Sequence, residues 1–181
     1  MTYEQLWAPW RLRYIQGLKD ERRPDPDLEL LPGADPRCFI CQDVADSADR
    51  SRHVVHRSEH SITILNRYPY NNGHLLTAPL VHRARLDELT GEEHADLALE
   101  ITRMVGLLET VLQPQGFNVG LNLGRAAGAG LPEHLHWHVV PRWNGDTNFM
   151  PALTSVNVIP QSLDALWAAL AQQLEAQLPD R

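Results

Sequence analysis

The chain has 181 residues, 43% hydrophobic and 22% charged, which is the make-up of one globular domain with a sizeable core. The formal net charge of -7 argues against a basic groove for DNA or RNA, although it leaves room for local positive charge at a phosphate site. No apolar run reaches the roughly 18 residues that span a membrane, and Met1-Thr-Tyr-Glu-Gln-Leu-Trp lacks the basic start and apolar stretch of a signal peptide, so a cytoplasmic location is expected.

Residues 1–18 carry Trp7, Trp10, Tyr14 and Ile15, an aromatic set expected to dock on its own domain or on a partner subunit. Residues 20–37 are charged and proline-rich and read as a linker, which divides the chain into an N-terminal segment over 1–36 and a domain over 37–181. Directly after that linker, Cys38-Phe-Ile-Cys41 forms a pair whose spacing, in a cytosolic chain, points to metal binding or redox chemistry before a structural disulfide. A thioredoxin-like role lacks its βαβ context.

Short strands are predicted at Val54–Val55 and Ile62–Leu65, then a turn over Asn66–Gly73 and a strand over His74–Pro79. Thr90-Gly-Glu-Glu93 reads as a capping box. The helix it opens carries Leu97, Ile101, Met104, Val105, Leu108 and Val111 at helical spacing, and Pro114 is expected to stop it. Phe117–Leu123 reads as a strand that runs into the glycine-rich loop Gly124-Arg-Ala-Ala-Gly128-Ala-Gly130. His134–Val140 alternates and reads as the clearest strand, and Leu163, Leu166, Trp167, Leu170 and Leu174 mark a C-terminal amphipathic helix. The order fits an α+β domain with a mainly antiparallel sheet, one long packed helix and a C-terminal helix.

The chain has nine histidines, yet His134, His136 and His138 fall within one pentapeptide. On a strand all three would share a face at spacings of roughly 6.5–7 Å, while Leu135, Trp137 and Val139 entered the core. Three readings fit: an exposed polar face, a three-histidine metal site, and a nucleophile with orienting partners. A line of three imidazoles suits tetrahedral ligation poorly.

His134-Leu-His136-Trp-His138-Val139-Val140 resembles the signature of the histidine-triad (HIT) family, and Asn66-Arg-Tyr-Pro-Tyr-Asn-Asn-Gly-His74 resembles that family's nucleotide-site turn. Within it, Leu6-Trp-Ala-Pro-Trp-Arg11 and Gly116-Phe-Asn-Val-Gly-Leu-Asn-Leu-Gly124 look most like the branch related to diadenosine tetraphosphate phosphorylases and hydrolases. The resemblance implies a HIT-like fold and an enzyme that cleaves a dinucleoside polyphosphate at its α-phosphate through a nucleotidyl-histidine, by hydrolysis or phosphorolysis. His136 would attack, His138 assist at the phosphate or leaving oxygen, and His74 orient from beneath. Phe39 and Ile40 would line the base pocket, Asn66 bind ribose, and Asn122, Gly128, Ala129 and Gly130 approach the phosphates. Each of these also has a purely structural reading as core, turn or surface.

The same resemblance, extended to the related hexose-phosphate uridylyltransferases, implies structural zinc on Cys38, Cys41, His82 and His134. It also implies a homodimer. His53, His56, His60 and His94 carry no motif and read as surface or structural. Gly130 stands where many relatives place a hydroxyl, so that a phosphate contact is either missing or taken over by Arg125. Alternatives are hydrolysis of a nucleoside phosphoramidate, removal of AMP from adenylylated DNA ends, which the acidic balance disfavours, and a non-catalytic nucleotide-binding protein.

Overall fold

The computed structural model describes residues 26–146 and 159–177. The aromatic residues Trp7, Trp10, Tyr14 and Ile15 lie outside the described residues. Two short helices, α1 (Phe39–Ala45) and α2 (Asp49–Arg52), lead into strands β1 (Val54–Arg57), β2 (Ser61–Leu65) and β3 (Leu75–Pro79). The long helix α3 (Gly91–Leu112) follows, then β4 (Gly116–Leu121), β5 (Trp137–Arg142) and the C-terminal helix α4 (Leu163–Gln177).

The strands form one antiparallel sheet in the order β1-β2-β3-β5-β4. β5 is therefore an interior strand, with His138 opposite Leu76 on β3 and Gly120 on β4. Helices α3 and α4 cover one face. Leu65, Leu75, Val139, Met104, Leu107, Leu108, Leu166 and Leu170 are all buried in that layer. A second cluster joins Cys38, Ile40 and Cys41 to Ile62, Ile64 and Leu76, so α1 is fixed against β2 and β3.

Helix α3 starts where its capping box predicts. The Glu93 N–H donates to the Thr90 hydroxyl, and the Glu93 carboxylate accepts from the Thr90 N–H. Such a cap contributes about 1 kcal/mol. The helix ends at Leu112, with Gln113 in the left-handed region one residue before Pro114. Its buried face also holds a polar residue that periodicity does not reveal. Glu100, 2% exposed, accepts from the Thr63 hydroxyl (3.1 Å) and pairs with His56 Nδ1 (2.9 Å). A buried carboxylate needs such partners, because an unpaired one would carry a large desolvation penalty. His56 is thus structural.

The clearest predicted strand is shorter than expected. It begins at Trp137 rather than His134, so His134 and His136 precede β5. The ladder has run out there: β4 ends at Leu121, opposite Trp137, and β3 pairs with β5 only as far as Thr77. The Leu135 N–H instead donates to the Arg83 carbonyl (2.7 Å), which pulls the chain toward the segment after β3. As a result the three histidines do not share one face. Similarly, β4 ends two residues before the predicted Leu123, and β3 starts after His74.

Gly73 shows how the turn before β3 is specified. Its φ is +77°, and a Cβ there would lie 2.5 Å from Leu112 Cδ1. Only glycine meets both constraints, and the turn delivers His74 to the interior, 1% exposed.

Candidate active site and metal centre

Three histidines meet where β5 begins, and their hydrogen bonds fix which nitrogen of each carries the proton. His74 Nδ1 receives the Tyr70 N–H (3.1 Å) and lies 3.2 Å from the Asn66 amide Nδ2. With Nδ1 accepting, the His74 proton is on Nε2, which donates to His138 Nδ1 (2.9 Å). The His138 proton is then on Nε2, so the Asn122 amide nitrogen 3.5 Å away, itself a donor, is not its hydrogen-bond partner. His138 thereby presents an N–H donor outward.

His136 has the opposite polarity. Its Nδ1–H donates to the backbone carbonyl of His134 (2.9 Å), which leaves Nε2 with a bare lone pair. The His136 and His138 rings are 5.2 Å apart, centroid to centroid. A nucleophilic nitrogen therefore stands beside a hydrogen-bond donor.

All three rings are held neutral. Burial first, then the neighbouring His138 and His136, push His74 down to about 3. Burial and His136 push His138 down to about 4. Burial likewise lowers His136 below the ordinary histidine value, against the raising effect of its bond to the His134 carbonyl. A neutral imidazole is the form that can attack phosphorus.

His134 points elsewhere. Its Nε2–H donates to the Pro79 carbonyl (2.9 Å), so the Nδ1 lone pair faces Cys38 Sγ at 3.3 Å, Cys41 Sγ at 3.6 Å and His82 Nδ1 at 3.2 Å. Cys41 Sγ lies 3.2 Å from His82 Nδ1. All four donor atoms lie within 4.8 Å of one another, a group that could hold a metal ion. The Cys41 thiol is lowered from its ordinary value, first by the Cys38 thiol bonded to it and also by His134. The carbonyl behind His134 is the usual second partner of a ligating imidazole.

The remaining predicted residues fall as follows. Asn66 sits beside His74, and its Oδ1 accepts the Tyr68 N–H (2.9 Å) in a local turn. Ile40 is fully buried in the cluster around the cysteines, with Phe39 half-buried beside it. Gly128, Ala129 and Gly130 lie in the loop after β4, which turns through Gly124 (φ +76°) and Gly128 (φ +90°). Arg125 is paired on the surface with Glu133 (3.0 Å). Tyr70 is the residue that sequence reasoning passed over. Its ring stacks near His138 (centroids 5.7 Å apart) and His74 (4.7 Å), yet it is 57% exposed. Its place in the Asn66–Gly73 turn, four residues before His74, was the available signal.

The chain is similar in sequence and fold to known proteins. The AP-4-A phosphorylase of Mycobacterium tuberculosis is 41% identical over 160 residues, 88% of this chain and 78% of that protein. An adenosine 5′-monophosphoramidase of Schizosaccharomyces pombe is 28% identical over 64% of this chain and 83% of that one. A zinc-bound histidine triad family protein of known structure from Mycobacterium smegmatis is 31% identical, with a TM-score of 0.54 over 68% of this chain and 87% of that one. Residues 47–145, which include the whole sheet and His74, His136 and His138, match the HIT domain. The chain belongs to the HIT family.

Proposed function

We propose that this protein cleaves a dinucleoside polyphosphate of the diadenosine tetraphosphate kind at its α-phosphorus, through a covalent nucleotidyl-His136 intermediate, and transfers the nucleotidyl group to inorganic phosphate. The carrying observation is the bond from His136 Nδ1–H to the His134 carbonyl, which leaves Nε2 as a fixed, neutral nucleophile. Nε2 attacks the α-phosphorus, the P–O bond to the rest of the polyphosphate breaks, and the departing oligophosphate carries away the bonding electron pair. The cationic N-phosphorylated ring keeps its Nδ1–H on the same carbonyl. His138 Nε2–H donates to a phosphoryl oxygen as charge builds there, and His74 holds the His138 tautomer. The acceptor then attacks the same phosphorus and His136 leaves. Splitting one displacement into two lowers each barrier.

The similarity to a phosphorylase supports phosphate as acceptor rather than water. Turnover of diadenosine tetraphosphate with and without inorganic phosphate tests this. Phosphate-dependent release of ADP and ATP is expected, whereas phosphate-independent release of AMP and ATP would make it a hydrolase. The similarity to a phosphoramidase favours a second reading, hydrolysis of an AMP–amine, which the same residues could perform.

Asn66 is assigned to ribose, Phe39 and Ile40 to the base, and Asn122, Gly128, Ala129 and Gly130 to the phosphates, as the family resemblance implies. Cys38, Cys41, His82 and His134 are assigned to structural zinc. Two thiolates and two imidazoles are the donor set that tetrahedral zinc prefers, and a closed set of four protein ligands leaves no position for substrate. Zinc there would brace α1 against the approach to β5. A homodimer is supported by β4, which among the described residues has only β5 beside it in the sheet and exposes Val119. A cytoplasmic location is supported by the two cysteines being unbridged, and among the described residues no helix is long and apolar enough to cross a membrane. Residues 1–36 are assigned to an N-terminal segment and 37–181 to the HIT-like domain.

A further inference from the structure

Beyond His138, the open face of β4 and β5 continues as a trough with a volume of about 500 Å³. His138, Val140 and Arg142 alternate along β5 on this face, beside Gly120 and Asn118 of β4. From His138 to Arg142 is four residues, roughly 13 Å of strand. Tyr70 and Asn122 border the end nearest His138.

Gly120 lies opposite His138 at the floor of this trough. Its backbone does not require glycine, since it is absent from the positive-φ residues. Close packing does not require it either, because a Cβ there would meet nothing within 4 Å. A strand glycine carries a conformational penalty of roughly 0.5–1 kcal/mol against alanine. What it leaves here is open space beside the donor histidine, as where a ligand approaches a strand closely.

The chemistry of the trough selects its occupant. Arg142, its cation, is held by both carboxylate oxygens of Asp146 (2.6 and 2.8 Å) and by Asn118 Oδ1 (2.6 Å). The far end therefore carries a neutralised charge, amide groups and the Val140 side chain, with the half-exposed Tyr70 ring at the near end. That combination suits an uncharged nucleoside, with a base to stack and ribose hydroxyls to bond, better than a further phosphate.

We propose that this trough binds the second nucleoside of the dinucleoside polyphosphate, the half that departs, and that Gly120 keeps it open. The proposal rests on the function proposed above and adds the determinant that distinguishes a two-ended substrate from a one-ended one.

The test uses the His136→Ala protein, so that ligands bind without turnover, and compares diadenosine tetraphosphate with adenosine tetraphosphate, which lacks only the second adenosine. Calorimetry should show the two-ended ligand binding at least tenfold more tightly. Adding Gly120→Val should abolish that advantage while leaving adenosine tetraphosphate within twofold. Equal affinity in the parent, or an advantage that survives Gly120→Val, would overturn the subsite. Failure of both ligands to bind would overturn the proposed function and the subsite with it. Should Gly120→Val unfold, as read by circular dichroism, Asn118→Leu obstructs the same trough from the next position on that face, with the same expected and contrary results.

Discussion

His136 Nδ1 lies 2.9 Å from the carbonyl oxygen of His134, and the ring of that same His134 faces Cys38, Cys41 and His82. The residue that orients the proposed nucleophile through its backbone therefore belongs, through its side chain, to the four-residue cluster that could hold a metal ion. Holding the cluster together also holds the carbonyl that fixes the His136 tautomer.

Cys41→Ser should reduce bound zinc from near one equivalent to a small fraction, as read by elemental analysis. Stability should fall by at least ~3 kcal/mol in urea melts, a minor share of the roughly 10–16 kcal/mol that structural zinc supplies in small domains. Activity should fall with it, because the His134 carbonyl loses its anchor. Full zinc occupancy in the variant would remove these four residues from consideration as the ligands.

In the proposed mechanism His74 acts on His138 rather than on substrate, so its loss should lower kcat more than it raises KM. For His74→Asn a fall in kcat of about 100-fold is expected, the scale of a catalytic group held slightly out of place. A change confined to KM would assign His74 to binding instead.

The buried, neutral His74 and His138 also make stability depend on pH. Both fold with pKa values of about 3 and 4, below the ordinary 6.5, so below pH 6.5 the unfolded chain binds more protons than the folded one. Their contribution is complete above pH 6.5 and is lost as pH falls, through a window that ends at about 4 for His138 and about 3 for His74. Each group should add a slope of up to ~1.4 kcal/mol per pH unit. Urea midpoints measured from pH 7 to pH 4.5 should show this slope, and His74→Asn should flatten it. An unchanged slope in the variant would mean that His74 takes up its proton as readily in the folded protein as in the unfolded chain.

Gly73→Ala combines a left-handed φ with a Cβ 2.5 Å from Leu112 Cδ1. It should destabilise by about 2 kcal/mol or more, and should disturb His74 in the next position. A thermal midpoint equal to wild type would show that the turn relaxes without penalty.

Features set by short-range rules were legible in the sequence. The Thr90–Glu93 box marks the start of α3, and the spacing of Leu97, Met104 and Leu108 marks its buried face. The family resemblance grouped Cys38, Cys41, His82 and His134, which the fold brings within 4.8 Å although they span the chain from α1 to the approach to β5. Alternation alone misled at His134 and His136, because it reports polarity and not whether a neighbouring strand remains to pair with. The Leu135 N–H bond to Arg83 and the His134 bond to Pro79 depend on where β3 ends in space. The Glu100–His56 pair was invisible for a similar reason, since a lone acid on a helix ordinarily faces water. Tyr70 lies within the turn that resembles the family's nucleotide site, but its place beside His138 follows from the turn that Gly73 closes.

In the proposed mechanism His136 Nε2 becomes covalently bonded to the α-phosphorus. The most direct measurement is rapid alkaline quenching of the protein with diadenosine tetraphosphate in the absence of phosphate, followed by peptide mass spectrometry. A nucleoside monophosphate adduct is expected on the peptide containing His136, located at that residue and absent from His136→Ala. Steady turnover with no adduct, or an adduct on another residue that persists in His136→Ala, would contradict it.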